Sequence, residues 1–262
     1  MGALTHGNRL AKISATALAA AAITVAGCTA GTASAATLSA VKPAHTAAPA
    51  AYTAPARTLS EGMSGSDVKA LQQRLAALKY YPGPADGAFG SDTLEAVWAF
   101  QAINRLTVTG VIDAATRRAL AHPRTYRSHD PRQDPTRIEV SQALEVLVLY
   151  KNGKIALISH VSSGGGYYYD CGGSECQAVT PNGDYRTTVF MPGWVQVPLG
   201  EMYNPVFFIS TVYAIHGDTF VPSYPASHGC VRVPMDIANF FHNLVTTPGT
   251  EVFVYGTPQW EK

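Results

Sequence analysis

The chain has 262 residues, 47% of them hydrophobic, enough to build one large core or two small ones. Its 19 basic and 18 acidic residues leave a net charge of +1. With no Lys/Arg run, this balance excludes a nucleic-acid footprint and a polybasic membrane patch and points to a neutral or mixed-charge partner.

Residues 1–35 have the layout of an export signal. Arg9 and Lys12 form a basic region, and Ile13–Ala26 is an apolar run too short for a permanent bilayer-spanning helix. Two processing sites compete. Ala33-Ser34-Ala35 fits the small-x-small rule for an ordinary signal peptidase, whereas Val25-Ala26-Gly27-Cys28 resembles the lipobox of bacterial lipoproteins, whose cysteine is diacylated and anchored by its two chains. Either route predicts an exported protein, in the cell wall or on the outer face of the cytoplasmic membrane, with Cys28 as its one route to a lipid anchor.

Export permits disulfides among the four cysteines. Cys171 and Cys176, in "CGGSEC", are close and flexibly joined. A ring this small contributes only about 2 kcal/mol and shapes a loop more than it holds a fold. If Cys28 carries lipid and those two pair, Cys230 is left over, and an unpaired thiol in an exported protein invites a chemical explanation.

Residues 36–57 are Ala/Pro/Thr-rich and read as an extended tether. Residues 58–121 are helical in pattern. Ser66 or Asp67 is placed to cap a helix with Val68, Leu71, Leu75 and Leu78 along one face; Asp92 with Glu95 offers a capping box for a second; Asp113 caps a shorter third. "DGAFGSDTLEAV" and "TGVIDAATRRAL" echo each other, suggesting a small duplicated module. Residues 122–137, with three prolines and many charges, read as a linker or docking segment. Residues 138–257 are mostly strand, with a hairpin at Asn152-Gly153, a second Asn-Gly turn at Asn182-Gly183, and one helix after Pro234. The fold class expected is a small all-α module followed by a mainly β sandwich or barrel-like domain.

The stretch "IHGDTFVPSYPASHGCVRVP", Ile215–Pro234, gathers two histidines and one thiol. Thiol acyl transfer needs a cysteine, an oriented imidazole and backbone N–H groups facing an oxyanion. His216, after the strand Val212–Ile215, stands at a strand end; Gly229 lets the backbone turn and aim the Gly229 and Cys230 amides; the helix after Pro234 adds its dipole. An inert buried cysteine and a zinc site of His216, His228, Cys230 and one of Cys171/Cys176 are the competing readings, and the spacing matches no familiar zinc pattern.

Residues Gly65–Gln101, with "LQQRL", "DGAFG" and "FQ" in order, resemble the three-helix peptidoglycan-binding domain, although "INRLTVTG" departs from its usual Gly-Leu and Asp-Gly pattern. "VSSGG", "TPNGDY", "FFISTVYAIHG" and "SHGCVR" together resemble the L,D-transpeptidase catalytic domain. The resemblance implies Cys230 as nucleophile, His216 as general base oriented by the Gly217 carbonyl, His228 and Gly229 lining the site, and Tyr213, Ser227 and Arg232 toward substrate. Arg232 equally fits a structural ion pair. It further implies 3→3 cross-linking of peptidoglycan stem peptides through a Cys230 thioester, with no metal or cofactor, with stem peptides and glycan as partners, and with carbapenem adducts on Cys230. The alternatives are an L,D-carboxypeptidase using the same residues and a catalytically silent wall-binding lipoprotein. "GGGYYYDCGGSEC" departs from the family and is expected to form a flap beside the cleft.

Overall fold

The computed structural model describes residues 52–261. The export signal, Cys28 and tether residues 36–51 lie outside them. Residues 52–57, expected as the end of the tether, instead dock on the helical module. Arg57 pairs with Asp67 at 2.6 Å, Arg117 donates to the Ala56 carbonyl at 2.9 Å, and the Arg74 guanidinium lies 5.1 Å from the centre of the Tyr52 ring.

The module consists of α1 (Ser66–Ala77), α2 (Ser91–Ile103) and α3 (Ala114–Ala121). Val68, Leu71 and Leu75 are buried together with Val97, Phe100 and Leu120, as a 3.6-residue period requires. Only one of the expected caps forms: Asp113 accepts the Thr116 N–H at 2.7 Å. α1 and α2 begin after Gly65 and Gly90 without side-chain caps. Asp67 is drawn off by Arg57, and Asp92 by Asp236 of the second domain. Ser66 makes no cap and the Asp92–Glu95 box does not close.

The internal echo has a physical basis in two buried glutamines. Gln72 accepts from Gly87 N–H and donates to the Ala88 carbonyl and the Thr93 hydroxyl. Gln101 likewise accepts from Gly110 N–H and donates to the Val111 carbonyl and the Thr116 hydroxyl. Each amide satisfies a glycine turn and ties it to the next helix, so each repeat needs Gln, Gly and Thr at matching positions.

The second domain runs β1 (Arg137–Ser141), β2 (Val146–Lys151), β3 (Lys154–His160), β4 (Tyr168–Asp170), β5 (Glu175–Gln177), β6 (Gly183–Arg186), β7 (Trp194–Val197), β8 (Gly200–Ile209), β9 (Tyr213–Asp218), β10 (Val231–Pro234), α4 (Met235–Phe241) and β11 (Glu251–Tyr255), then a 3₁₀ turn at Gln259–Glu261. β3-β2-β1-β11-β6 form one sheet, β10-β9-β8-β7 a second, and β4-β5 a separate ribbon. Ile138, Leu147 and Leu149 from the first sheet meet Val206, Phe208, Ile215 and Val231 from the second in a sandwich core that α4 closes with Ile237, Ala238 and Phe241. Asn152 and Gly153, both at positive φ (52° and 73°), turn β2 into β3. Asn182-Gly183 makes no hairpin, because Gly183 opens β6 and pairs across to Val254 of β11.

β2 explains how the two modules join. Its run "VLVLY" is buried throughout, which an alternating strand with one wet face would not be. Leu147 and Leu149 enter the sandwich core, while Val146, Val148 and Tyr150 belong with Ile158 to the core of the helical module. The helices therefore cover the outer face of the five-stranded sheet, and Ile158 N–H donates to the Lys79 carbonyl at 2.8 Å across the seam. The segment after α3 docks as well. Glu139 accepts from Tyr126, Ser128 and the His129 N–H, and Arg132 pairs with Asp184 and Glu251. No helix among the described residues is long and apolar enough to cross a membrane.

Candidate active site in the cleft around Cys230

Parallel pairing of β9 with β10 sets Arg232 opposite His216 and Val231 opposite Ile215. The second histidine-cysteine loop thereby returns beside the strand that carries the first histidine. The result is a cleft of about 970 Å³ lined by Tyr169, Trp194, Leu199, Tyr213, His216 and Cys230 among others. His216 lies inside β9, not at its end as expected, and is flanked by β8 and β10. A hydrogen-bonded central strand holds its ring more firmly than a terminus would.

His216 is 4% exposed, and its Nδ1 lies 2.9 Å from the Gly217 carbonyl. A carbonyl only accepts, so the neutral ring carries its proton on Nδ1 and leaves Nε2 unprotonated. Burial holds the imidazole below its ordinary 6.5, against the opposing pull of that carbonyl. Cys230 is the free cysteine among the described residues. Burial pushes its thiol above the ordinary 9.0, with the Ala214 backbone N–H and Arg232 pulling the other way. At neutral pH the site therefore holds a neutral thiol and a neutral imidazole. β10 separates Cys230 from α4 by four residues, roughly 13 Å of strand. This is too far for the expected help from the helix dipole, which fades beyond the first turn.

The turn before Cys230 is fixed from three sides. Ser227 Oγ donates to the Cys230 carbonyl at 2.6 Å and accepts the Gly229 N–H at 3.0 Å. Thr180 Oγ donates to the Gly229 carbonyl at 2.7 Å and accepts the Gly164 N–H at 2.8 Å. Gly229 sits at φ 137°, where a Cβ would press on the Val179 carbonyl and the Tyr213 ring. The Gly229 amide, expected to face an oxyanion, is thus already used, and the 1%-exposed Ser227 serves the backbone. Thr180 and Glu145, which accepts from the Ser163 N–H and hydroxyl, were missed by sequence reasoning; both lie far along the chain from "SHGC".

Arg232 pairs with Asp218 at 3.0 Å and reaches the Phe220 carbonyl at 3.5 Å, the bracing arrangement. His228 does not join His216. Its ring packs edge-on against Tyr169 and Tyr167, at 4.7 and 5.4 Å, and burial, then Arg232, lowers its pKa. Cys171 and Cys176 form a disulfide closing the β4–β5 ribbon. Tyr169, Asp170, Cys171 and Gly172 of that ribbon make one wall of the cleft, and Tyr213 lines it near Cys230.

The L,D-transpeptidase catalytic domain family matches residues 135–254, and a peptidoglycan binding domain family matches residues 64–120. Among solved structures, the L,D-transpeptidase (residues 123-326) from Xylanimonas cellulosilytica DSM 15894 is 35% identical with a TM-score of 0.71, over 78% of this chain and 99% of that one. Two curated relatives match locally. The carboxy-terminal processing protease CtpB of Bacillus subtilis is 37% identical over 89 residues, 34% of this chain, and the N-acetylmuramoyl-L-alanine amidase CwlL of Bacillus licheniformis is 43% identical over 65 residues, 24% of this chain. The chain spans only 18% of the length of each. With a helical module and a cysteine-bearing β sandwich both matched, and with near-complete coverage of a solved relative above 30% identity, this chain belongs to the L,D-transpeptidase family.

Proposed function

We propose that the protein is a cysteine-dependent acyltransferase of the cell wall that forms 3→3 cross-links between peptidoglycan stem peptides. One observation carries this reading: the free thiol of Cys230, at the residue that leads into β10, lines the same large cleft as His216 on the neighbouring β9, whose Nδ1 is held by the Gly217 carbonyl.

In the proposed reaction His216 Nε2 takes the Cys230 proton as the sulfur attacks the carbonyl of the third stem residue. The tetrahedral oxyanion meets the Cys230 N–H, since the Gly229 amide already bonds Ser227. Collapse breaks the peptide bond to the terminal D-alanine, whose amine receives the proton from His216, and leaves a thioester. An amine on a neighbouring stem then attacks, passes its proton to the imidazole and restores the thiol. The thioester conserves the energy of the cleaved peptide bond, so no nucleotide is consumed. A neutral resting pair suits this sequence, because the proton moves only as substrate excludes water and the thiolate is formed in place.

The test is mass spectrometry of the exported chain with a disaccharide-tetrapeptide, comparing wild type with Cys230→Ala. The expected result is loss of D-alanine together with a dimer joined through two third residues, both absent from the variant. A tripeptide without dimer would reassign the activity to L,D-carboxypeptidase, and unchanged substrate in both samples would leave a wall-binding protein without turnover.

A further inference from the structure

The loop after β9, residues 219–224, presents two large apolar side chains to solvent: Phe220 is 55% exposed and Tyr224 54%. Single exposed aromatics need no explanation, but this loop is pinned along its length. Phe220 N–H donates to Asp218, and the Phe220 carbonyl accepts from Arg232. The Pro222 carbonyl lies 2.8 Å from the His160 ring nitrogen, and the Tyr224 carbonyl accepts from the Ser162 hydroxyl at 2.8 Å. Val221 is buried beneath. The two rings are thus held outward by a fixed backbone, so little ordering entropy is lost when a ligand covers them.

Facing this loop is α2, and between them runs a groove of about 330 Å³ to which both modules contribute. α2 supplies Ser91, Leu94, Glu95 and Trp98. Trp98 is seated edge-on against His160, ring centres 5.3 Å apart, so the same histidine steadies both walls. Thr219 lines this groove and also the cleft around Cys230, so the two adjoin at that residue.

We propose that this inter-module groove binds the glycan strand of peptidoglycan, with Trp98, Phe220 and Tyr224 stacking on sugar faces while the attached stem peptide enters the Cys230 cleft. The chemistry of the lining selects this ligand. No Lys, Arg or His lines the groove, so an anion finds no counter-charge there. Its one acid, Glu95, is kept largely neutral at pH 7, because burial and then the neighbouring Asp92 and Asp236 push its carboxyl up to about 8. That carboxyl has no hydrogen-bond partner among the described residues and offers both a donor and an acceptor, with Ser91 and Ser223 nearby in the lining. Apolar ring faces, an uncharged polar fringe and an open trough fit a pyranose chain, whose C–H faces stack on aromatics and whose hydroxyls need both donors and acceptors.

Binding of bare glycan does not depend on Cys230, so this inference and the acyl-transfer reading fail separately. The experiment titrates the exported chain with glycan strands stripped of stem peptides, following Trp fluorescence and co-sedimentation. Phe220→Ala combined with Tyr224→Ala is expected to weaken binding about tenfold or more, the scale of losing aromatic anchors. Phe220→Tyr, which keeps a ring, is expected to retain most of it, and Cys230→Ala to bind as wild type. Both truncated rings are more than half exposed, so an unchanged thermal midpoint is expected and checks that the fold is intact. Should that variant prove unstable, Glu95→Ala supplies the second reading and is expected to weaken binding severalfold. Equal affinity of wild type, the double variant and Glu95→Ala for stripped glycan would overturn the proposal, as would a wild type that binds only strands carrying stems.

Discussion

His160 on β3 and His216 on β9 are alike in almost every local respect. Both are buried, both lie beside a backbone carbonyl, Pro222 at 2.8 Å and Gly217 at 2.9 Å, and desolvation lowers both pKa values, that of His160 to about 4. They differ in what surrounds them. His160 is enclosed by Trp98 and the pinned loop, whereas His216 lines an open cleft with a thiol in it. A buried, depressed histidine is therefore not the mark of a catalytic site; the mark is a buried imidazole that also faces a cleft large enough for substrate.

The largest expected effect tests that distinction directly. His216→Ala should lower turnover by about 10²–10⁴-fold, the usual range for removing a general base, and Cys230→Ala should lower it further. His160→Gln should instead appear as a lower thermal midpoint and faster hydrogen exchange in residues 219–224. Equal losses of turnover from the two histidine variants would break the comparison, since enclosure would then not separate the roles.

The two faces of the β2–β3 hairpin sharpen it on the side of stability. Leu149→Ala opens the sandwich core and Ile158→Ala the seam with the helices, and each should cost about 2–5 kcal/mol in denaturant unfolding. A single cooperative transition in both variants would show that module and sandwich unfold together, whereas an early partial transition in Ile158→Ala alone would show the seam to be a separate unit.

These examples also mark how far the sequence could be read. Elements with a strong local signal were legible: the period of α1, the Asn152-Gly153 turn, and the "HG" and "SHGC" motifs that the β9–β10 register brings together. The both-sided burial of β2 was not, because "VLVLY" looks the same whether its second face meets helices or solvent. Neither was the use of the Gly229 amide, which depends on a hydroxyl rotamer at Ser227, nor the part of Thr180, whose bond to the Gly229 carbonyl spans 49 positions and exists only in the fold. The expected caps failed for the same reason. Asp67 and Asp92 each had a suitable local position, and tertiary partners at Arg57 and Asp236 took them.

A smaller effect is the pH profile of the seam, where His160 and Glu95 act in opposite directions. The pKa of His160 is lowered in the folded state, so an unfolded chain takes up that proton first, and stability is lost as pH falls from about 6.5 through about 4. Glu95 is raised from 4.5 to about 8, so its contribution is complete below about 4.5 and is lost as pH rises toward and through 8. The two ranges overlap between about pH 4.5 and 6.5, where their slopes offset, so thermal melts should show a midpoint plateau there that falls away on the acid side and on the alkaline side. Glu95→Gln should flatten the alkaline side and His160→Gln the acid side. A wild-type midpoint that rose steadily from pH 5 to 9 would contradict the burial of Glu95.

The smallest effect separates the one cap that forms from one that does not. Asp113→Ala removes the acceptor of the Thr116 N–H at the start of α3 and should cost about 1 kcal/mol, the usual value of an N-cap. Asp92→Ala removes no cap, since α2 starts after Gly90 without one. Its carboxyl is pushed up to about 6, first by burial and then by its hydrogen bond and charge interaction with Asp236, so ionising Asp92 opposes folding. The substitution should therefore cost stability only at low pH, where the shared proton is held, and should become neutral or stabilising as pH rises through about 6, while the Asp113→Ala penalty persists at every pH where that carboxylate is charged. Parallel pH dependences for the two variants would mean that Asp92 caps its helix after all and that its pairing with Asp236 has no energetic weight.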